Sequence, residues 1–190
     1  MTTNKAGTMA IAILSDMHIP GQAEQIPEQF RVHIKEADHV VHAGDFGSKE
    51  ALADIRELSG NLTSVYGNAD PANIDLPPVA SITVNDVTFV VSHGMINFVQ
   101  RAVSSSEGVV FNHDDWLDAV ADTAQARADT NGLVVGIGGH SHEVEDEIHD
   151  DIRVLNPGSA TGVGPANGIA TMMTAEVSDS GVDVTIHKSS

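Results

Sequence analysis

A chain of 190 residues that is 41% apolar is long enough for one compact domain with a real core and short for two, so a single domain over residues 1–190 is expected. Cysteine is absent, which excludes disulfides and thiolate metal ligands. The formal net charge of −18 opposes binding to duplex nucleic acid, and no apolar run approaches the ~18 residues of a membrane span.

The opening "MTTNKAGTMAIAIL" holds one lysine and a short apolar stretch that runs straight into the polar "SDMH". That is not the pattern of a signal peptide, and the expectation is a soluble cytoplasmic protein. "TMAIAILS" (8–15) predicts a first strand, residues 23–37 a helix, "HVVHA" (39–43) a second strand. "SKEALADIREL" (48–58) predicts an amphipathic helix with Ser48 as N-cap, and "NLTSVY" (61–66) a third strand. This β-α-β-α-β order implies a parallel sheet covered by helices. The pattern then changes. Residues 79–92, "VASITVNDVTFVVS", are two apolar runs joined by Asn-Asp, the signature of a hairpin. An irregular stretch at 95–111 contains "SSSEG" and reads as a surface loop; residues 112–130 predict a helix with acids in its first turn. "GLVVGIG" (132–138) and "IRVLN" (152–156) predict buried strands, and a terminal hairpin turns at Asp179–Gly181. A parallel half with added antiparallel strands makes a mixed α/β domain, and two facing sheets with helices outside fit it. Aromatic residues are only 4%, so Val, Ile, Leu, Ala and Met must fill the core.

Chemistry gathers at the carboxyl ends of these strands, where open α/β sheets bind ligands. The first strand ends in Asp16-Met17-His18 and the second in "AGDFG" with Asp45. The third ends in "YGNAD" with Asn68 and Asp70, the hairpin's return strand in "SHG" with His93, and the 133–137 strand in "GGHSH" with His140 and His142. A single Asp-x-His or His-x-His pair is expected by chance in a chain with 17 Asp and 10 His; five such ends on successive strands are not. Imidazole and carboxylate donors suit divalent transition metals. Seven ligand side chains are too many for one four-coordinate ion and suit two ions that share a bridging carboxylate. Two dications, set against two carboxylates and one hydroxide, leave such a site positive and ready for a phosphate.

In this order "SDMH", "GDFG", "GNAD", "SHG" and "GGHSH" resemble the five motifs of the calcineurin-like metallophosphoesterases, most nearly their small single-domain prokaryotic phosphodiesterases. The likeness runs from about residue 9 to the end and includes "NPGS" (156–159). It implies an α/β fold of two mixed β-sheets packed face to face with flanking helices, a four-layer α-β-β-α sandwich. It also implies that Asp16, His18, Asp45 and His142 hold one divalent metal ion, that Asp45 bridges, and that Asn68, His93 and His140 complete the second site. The ions would be manganese first, with iron, nickel, cobalt or zinc also suited to these donors. A bridging hydroxide would attack phosphorus, with Asn68 also touching the phosphate of a small phosphate-ester substrate. Many relatives carry His after the Gly-Asn pair, as the group that protonates the leaving alcohol. Here that position is Ala69, while Asp70, which would orient such a His, remains.

The other histidines have plainer readings. His33, His39 and His42 are expected to be surface or packing residues, and His113 and His149 solvated beside acids; of these His113, after the irregular loop, is the one to watch for substrate contact. Met172, Met173 and Trp116 are expected in the core. Three alternatives to a phosphodiesterase are a phosphomonoesterase with the same site, a non-catalytic scaffold on the same fold, and a nuclease. The scaffold relatives lose metal ligands, whereas all seven positions are kept here. A nuclease needs a basic track, which nine scattered cations do not provide. The sequence is silent on monomer against homo-oligomer.

The acids are spread along the whole chain, Asp outnumbers Glu, and lysine is scarce. That composition is expected of a halophilic protein: at ~1 M salt the Debye length falls to ~3 Å and self-repulsion is screened. The melting temperature should therefore rise as potassium chloride increases from dilute to molar, and a flat or falling curve would refute the adaptation.

Overall fold

A computed structural model describes residues 7–94, 113–128, 132–179 and 181–190. The expected irregular loop at 95–111 and both ends of the expected 112–130 helix lie outside them. Ten strands form two five-stranded mixed sheets. The first has the order β10-β9-β1-β2-β3, from β1 (Met9–Leu14), β2 (His39–His42), β3 (Leu62–Ser64), β9 (Ala170–Ser178) and β10 (Gly181–Ser189). The second has the order β4-β5-β6-β8-β7, from β4 (Val79–Val84), β5 (Val87–Ser92), β6 (Leu133–Ile137), β7 (Val144–His149) and β8 (Ile152–Pro157). Each has three parallel strands in a row: β1-β2-β3 at one side of the first sheet, with antiparallel β9 and β10 beyond β1, and β5-β6-β8 in the middle of the second, with antiparallel β4 and β7 at its edges.

Strand periodicity sorts the apolar residues into layers. Ile11 and Ile13 point between the sheets and meet Phe89, Val91, Val135 and Ile137 from the other sheet. Ala12 and Leu14, one residue out of phase, point outward under two helices, α1 (Glu28–Glu36) and α2 (Lys49–Leu58). Those helices return Phe30, Ile34, Leu52 and Ile55 to the same cluster. On the far side, α3 (His113–Arg127) lays Trp116, Leu117, Val120, Ala121 and Ala124 over Val90 and Val154. These five recur at helical spacing and make one stripe. The result is the expected four-layer α-β-β-α sandwich. Each buried Ile, Leu or Phe contributes about 1.5–3 kcal/mol of transfer free energy.

Local chemistry sets the element ends. Ser48 Oγ accepts the Ala51 N–H at 3.1 Å and caps α2 as expected. Helix α1 starts later than expected, after Pro27, because a residue preceding proline is pushed out of the helical region and Ile26 precedes one. Strand β3 is shorter than expected: Tyr66 N–H turns away to Pro77 O. Strand β7 is absent from the sequence reading. Its Glu145, Asp146 and Glu147 are poor strand formers, and only β8 pairs with it. Arg153 on β8 binds Asp146 through two bonds of 2.7 and 2.9 Å. Among the described residues no helix is long and apolar enough to cross a membrane.

His42 is a packing residue, fully buried in β2 and stacked 3.6 Å from Phe46. Its Nδ1 accepts the Gly44 N–H, which puts the neutral ring's proton on Nε2, an atom with no partner. Burial pushes its pKa down to about 3. Above pH 6.5 the ring is neutral whether the chain is folded or not. Below that value only the unfolded chain takes up the proton, so stability should fall by roughly 1.4 kcal/mol per pH unit between 6.5 and 3. Urea unfolding across this range should show that slope reduced by one proton in His42→Asn, whose Oδ1 can still accept Gly44 N–H. Identical slopes would refute it.

Candidate metal centre

The carboxyl ends of the parallel strands from both sheets meet at one edge of the sandwich. Asp16 and His18 follow β1, Asp45 follows β2, Asn68 follows β3, His93 follows β5, and His140 and His142 follow β6. The sandwich therefore brings all seven predicted side chains into one contiguous cluster. His18 Nε2 and His142 Nε2 are 3.2 Å apart, and Asp16 Oδ1 lies 3.4 Å from His142 Nε2 and 3.8 Å from His18 Nε2. Next to this group, Asn68 Oδ1 lies 3.1 Å from His93 Nε2 and 2.8 Å from His140 Nδ1. Asp45 Oδ2 stands between the groups, 3.6 Å from His18 Nε2 and 3.3 Å from His93 Nε2.

These spacings suit metal ligation. Two donors each about 2.1 Å from one ion stand about 3.0–3.4 Å apart at angles from square to tetrahedral. Hydrogen bonds to the other side-chain atoms aim the donors at one another. His93 Nδ1–H donates to Ala43 O at 2.7 Å and His142 Nδ1–H donates to Val163 O at 2.8 Å, which aims each Nε2 at the cluster. Asp45 Oδ1 is occupied by the Ala69 N–H at 2.7 Å, leaving Oδ2 to face both groups. Asp16 Oδ2 accepts from Ser15 Oγ–H and from the His140 N–H, whereas its Oδ1 is buried with no hydrogen-bond partner. A buried carboxylate oxygen left in that state suits a cation. Asp16, His18 and His142 form one candidate ligand group, and Asp16, Asp45 and His93 another.

Electrostatics tell the same story. Burial raises the Asp16 pKa, but the imidazoles of His18, His93 and His142 and the Ser15 hydroxyl outweigh it and hold the carboxyl at about 2. Burial opposes the charged form of His93, yet its bond to Asp45 and the charges of Asp45 and Asp16 lift it to about 9. Burial likewise opposes ionised Asp45, which His93 pulls below its ordinary value. His140 goes the other way, lowered by burial and by His93. Two buried carboxylates thus stay ionised by collecting positive charge.

The backbone is bent to present these groups. Asp16, His18, Asp45, His140 and His142 all have positive φ, between 50° and 75°. Left-handed backbone costs roughly 1–2 kcal/mol per non-glycine residue, and such strain gathers at functional sites. Neighbouring glycines make the close approaches: a Cβ on Gly139 would strike Ser15 Oγ and Asp16 Oδ2, and one on Gly67 would strike Asp45.

Several supporting residues are not apparent in the sequence. Trp116, expected only to fill the core, also donates its indole N–H to Gly139 O at 3.0 Å. Asn156 Nδ2 holds Gly139 O and Ser141 Oγ, and Ser159 Oγ–H holds Asp16 O at 2.8 Å. "NPGS" was the only signal for that pair. Asp70 has no His beside it to orient; its carboxylate instead accepts the backbone N–H groups of Asp45, Gly47 and Gly67. His113 lies at the start of α3 facing Glu145 and Glu147 at 3.7 and 4.0 Å, and His149 bonds Asp118 at 2.7 Å. His33 stacks on His187 with centroids 4.0 Å apart, and His39 meets Thr63 Oγ1 at 2.9 Å.

The comparisons agree with this geometry. The family profile of the calcineurin-like phosphoesterase superfamily domain matches residues 9–180, and the chain belongs to that superfamily. Among curated proteins it resembles a probable metallophosphoesterase of Methanocaldococcus jannaschii, 30% identical over 155 residues that cover 82% of this chain and 70% of the relative. It also resembles a phosphodiesterase of the same organism, 28% identical over 170 residues, 81% of this chain and 86% of the relative. Among solved structures, vacuolar protein sorting 29 from Cryptosporidium parvum shares the fold with a TM-score of 0.70 at 20% identity, over 97% of this chain and 99% of that one.

Titration with Mn2+ should give two ions per chain and raise the melting temperature, with about 2.7 kcal/mol of stabilisation at 100 times Kd. Asp16→Ala should remove most of that gain. A melting curve indifferent to Mn2+ would rule the centre out.

Proposed function

We propose that this protein is a dinuclear metal-dependent phosphoesterase that hydrolyses phosphodiesters of small molecules, with manganese as its first choice of ion and a salt-rich cytoplasm as its setting. One observation carries the reading. Asp45 offers a single free carboxylate oxygen to two donor groups at once, 3.6 Å from His18 Nε2 and 3.3 Å from His93 Nε2, while its other oxygen is tied to Ala69 N–H. A bridging ligand requires that arrangement, and a mononuclear site does not.

When bound, the ions supply the Lewis acidity that turns a shared water into a nucleophile and neutralises charge on the phosphoryl oxygens. The chain's own groups do the rest. Asp16, His18 and His142 hold one side, and Asn68, His93 and His140 the other. The bonds from His93 and His142 to Ala43 O and Val163 O fix which ring nitrogen faces inward. Asn68, between His93 and His140, also has an amide nitrogen with which to hold a phosphoryl oxygen.

Ala69 presents a methyl group where a proton donor would stand, and Asp70 is fully engaged with backbone amides. Among the described residues, the position after Asn68 gives the departing alkoxide no acid, a loss worth about 10²–10⁴-fold. Leaving groups that depart as stable anions are therefore favoured. The diester preference rests on the phosphodiesterase among the relatives; a monoester would meet the same nucleophile. The sorting-protein likeness brings in the scaffold alternative, but it speaks to the fold alone, and a scaffold has no need of five strained ligand residues.

In Mn2+ and high salt, bis(4-nitrophenyl) phosphate should be cleaved at least about 10²-fold faster than a simple dialkyl phosphate, and faster than 4-nitrophenyl phosphate. Asp45→Asn should lower the diester rate by roughly 100-fold or more. Equal aryl and alkyl rates would refute the missing acid, and full activity in Asp45→Asn would refute the bridge.

A further inference from the structure

We propose that Asp70 is a positioning residue that sets the spacing between the two halves of the metal centre. This rests on the dinuclear reading above and concerns a residue that offers no atom to the ions. The Asp70 carboxylate gathers three backbone donors from two different loops. Oδ2 accepts Gly67 N–H at 2.8 Å and Asp45 N–H at 3.0 Å, and Oδ1 accepts Gly47 N–H at 3.0 Å. Gly67 opens the loop after β3, which carries Asn68; Asp45 and Gly47 lie in the loop after β2, which carries the bridging carboxylate.

The clamp is reciprocal. Asp45 Oδ1 accepts Ala69 N–H at 2.7 Å, so each loop's aspartate holds the other loop's backbone. The loops touch closely enough that a Cβ on Gly44 would lie 2.8 Å from the Gly67 nitrogen. Two consequences reach the ions. The bond from Ala69 N–H decides which Asp45 oxygen is left for the centre, and Asp70 fixes where that N–H stands by holding the same turn at Gly67. The distance from Asp45 Oδ2 to Asn68 Oδ1, across the second ion's position, is likewise set by a brace that Asp70 completes. Asp16, His18 and His142 come from other loops and are not bonded to Asp70; the N–H groups of Asp16 and His18 bond the carbonyls of Gly44 and Asp45 instead.

The clamp also accounts for an aspartate after Ala69, where there is no imidazole to orient. Three amide N–H groups satisfy an ionised carboxylate, and an Asn side chain cannot replace it: one of its two ends is an NH2 that would face an N–H donor.

The test uses the full-length protein and Mn2+ as the probe, with calorimetric titration and electron paramagnetic resonance. Wild type should bind two ions and show the spectrum of an exchange-coupled Mn2+ pair. Asp70→Asn should bind the first ion with affinity close to wild type, which also shows that the variant is folded. The second should bind roughly 10–100-fold more weakly, and the coupled spectrum should give way to that of isolated ions. Asp70→Glu, which keeps the carboxylate, should recover part of the second affinity. The proposal is overturned if Asp70→Asn keeps both affinities and the coupled spectrum. It is also overturned if Asp70→Asn and Asp70→Glu alike lose both ions together, since the residue would then merely support the fold. A single ion in wild type would instead bring down the dinuclear reading, and this proposal with it.

Discussion

Two carboxylates are buried within a few ångströms of each other, and the strand-end architecture around them answers that fact. Asp16 is wholly inaccessible and Asp45 nearly so, each ionised against the pull of burial. A buried charge without compensation would neutralise or unfold its surroundings. Here the compensation comes from His18 on the strand end of Asp16, from His93 and His142 on two further strand ends, and from the hydroxyl and amide hydrogens of Ser15, His140 and Ala69. Cation demand and cation-binding chemistry are one property in this cluster: donors arranged to tolerate like charges at short range are also arranged to hold metal ions between them.

Satisfying that constraint dictates the backbone. Five candidate ligands sit in left-handed conformations, and glycines admit the close approaches between their loops. Such loops would be unstable alone. They hold because the strands feeding them are anchored by apolar layers on both faces, and because side chains remote from the ions bond the loop carbonyls: Trp116 and Asn156 to Gly139 O, Ser159 to Asp16 O, Thr161 to Met17 O. The sandwich supplies stiffness, and the loops spend part of it on geometry.

Much of this could be read from the residues. Short apolar runs mark nine of the ten strands among the described residues, and in the central strands burial on both faces leaves few polar interruptions. The donors were legible as a set, since each closes a strand. What stayed hidden depends on contacts between distant segments. Strand β7 is acidic and exposed, so its pairing with β8 has no local signature. The start of α1 hinged on one proline. Trp116 looked like core, and it is; that its indole N–H also supports a glycine between β6 and His140 follows only once α3 is laid on the sheet. Asp70 shows the same limit. A carboxylate beside a missing histidine looks idle in the sequence, whereas its three amide partners lie up to 25 residues away.

The strongly acidic composition bears on how an anionic ester would reach this centre. In dilute buffer a chain of net charge −18 repels phosphate esters over distances comparable to its own radius, which slows encounter. At ~1 M salt the Debye length is only ~3 Å, so that repulsion vanishes beyond the first layer of solvent. The fields that survive are those inside the cluster, where neighbouring groups lie within 4 Å of one another. Salt would thus relieve the long-range penalty without weakening the short-range attraction of a cationic centre. On this account an acidic surface and a metal-loaded, positive site would not conflict: they would act on different length scales, which concentrated salt separates.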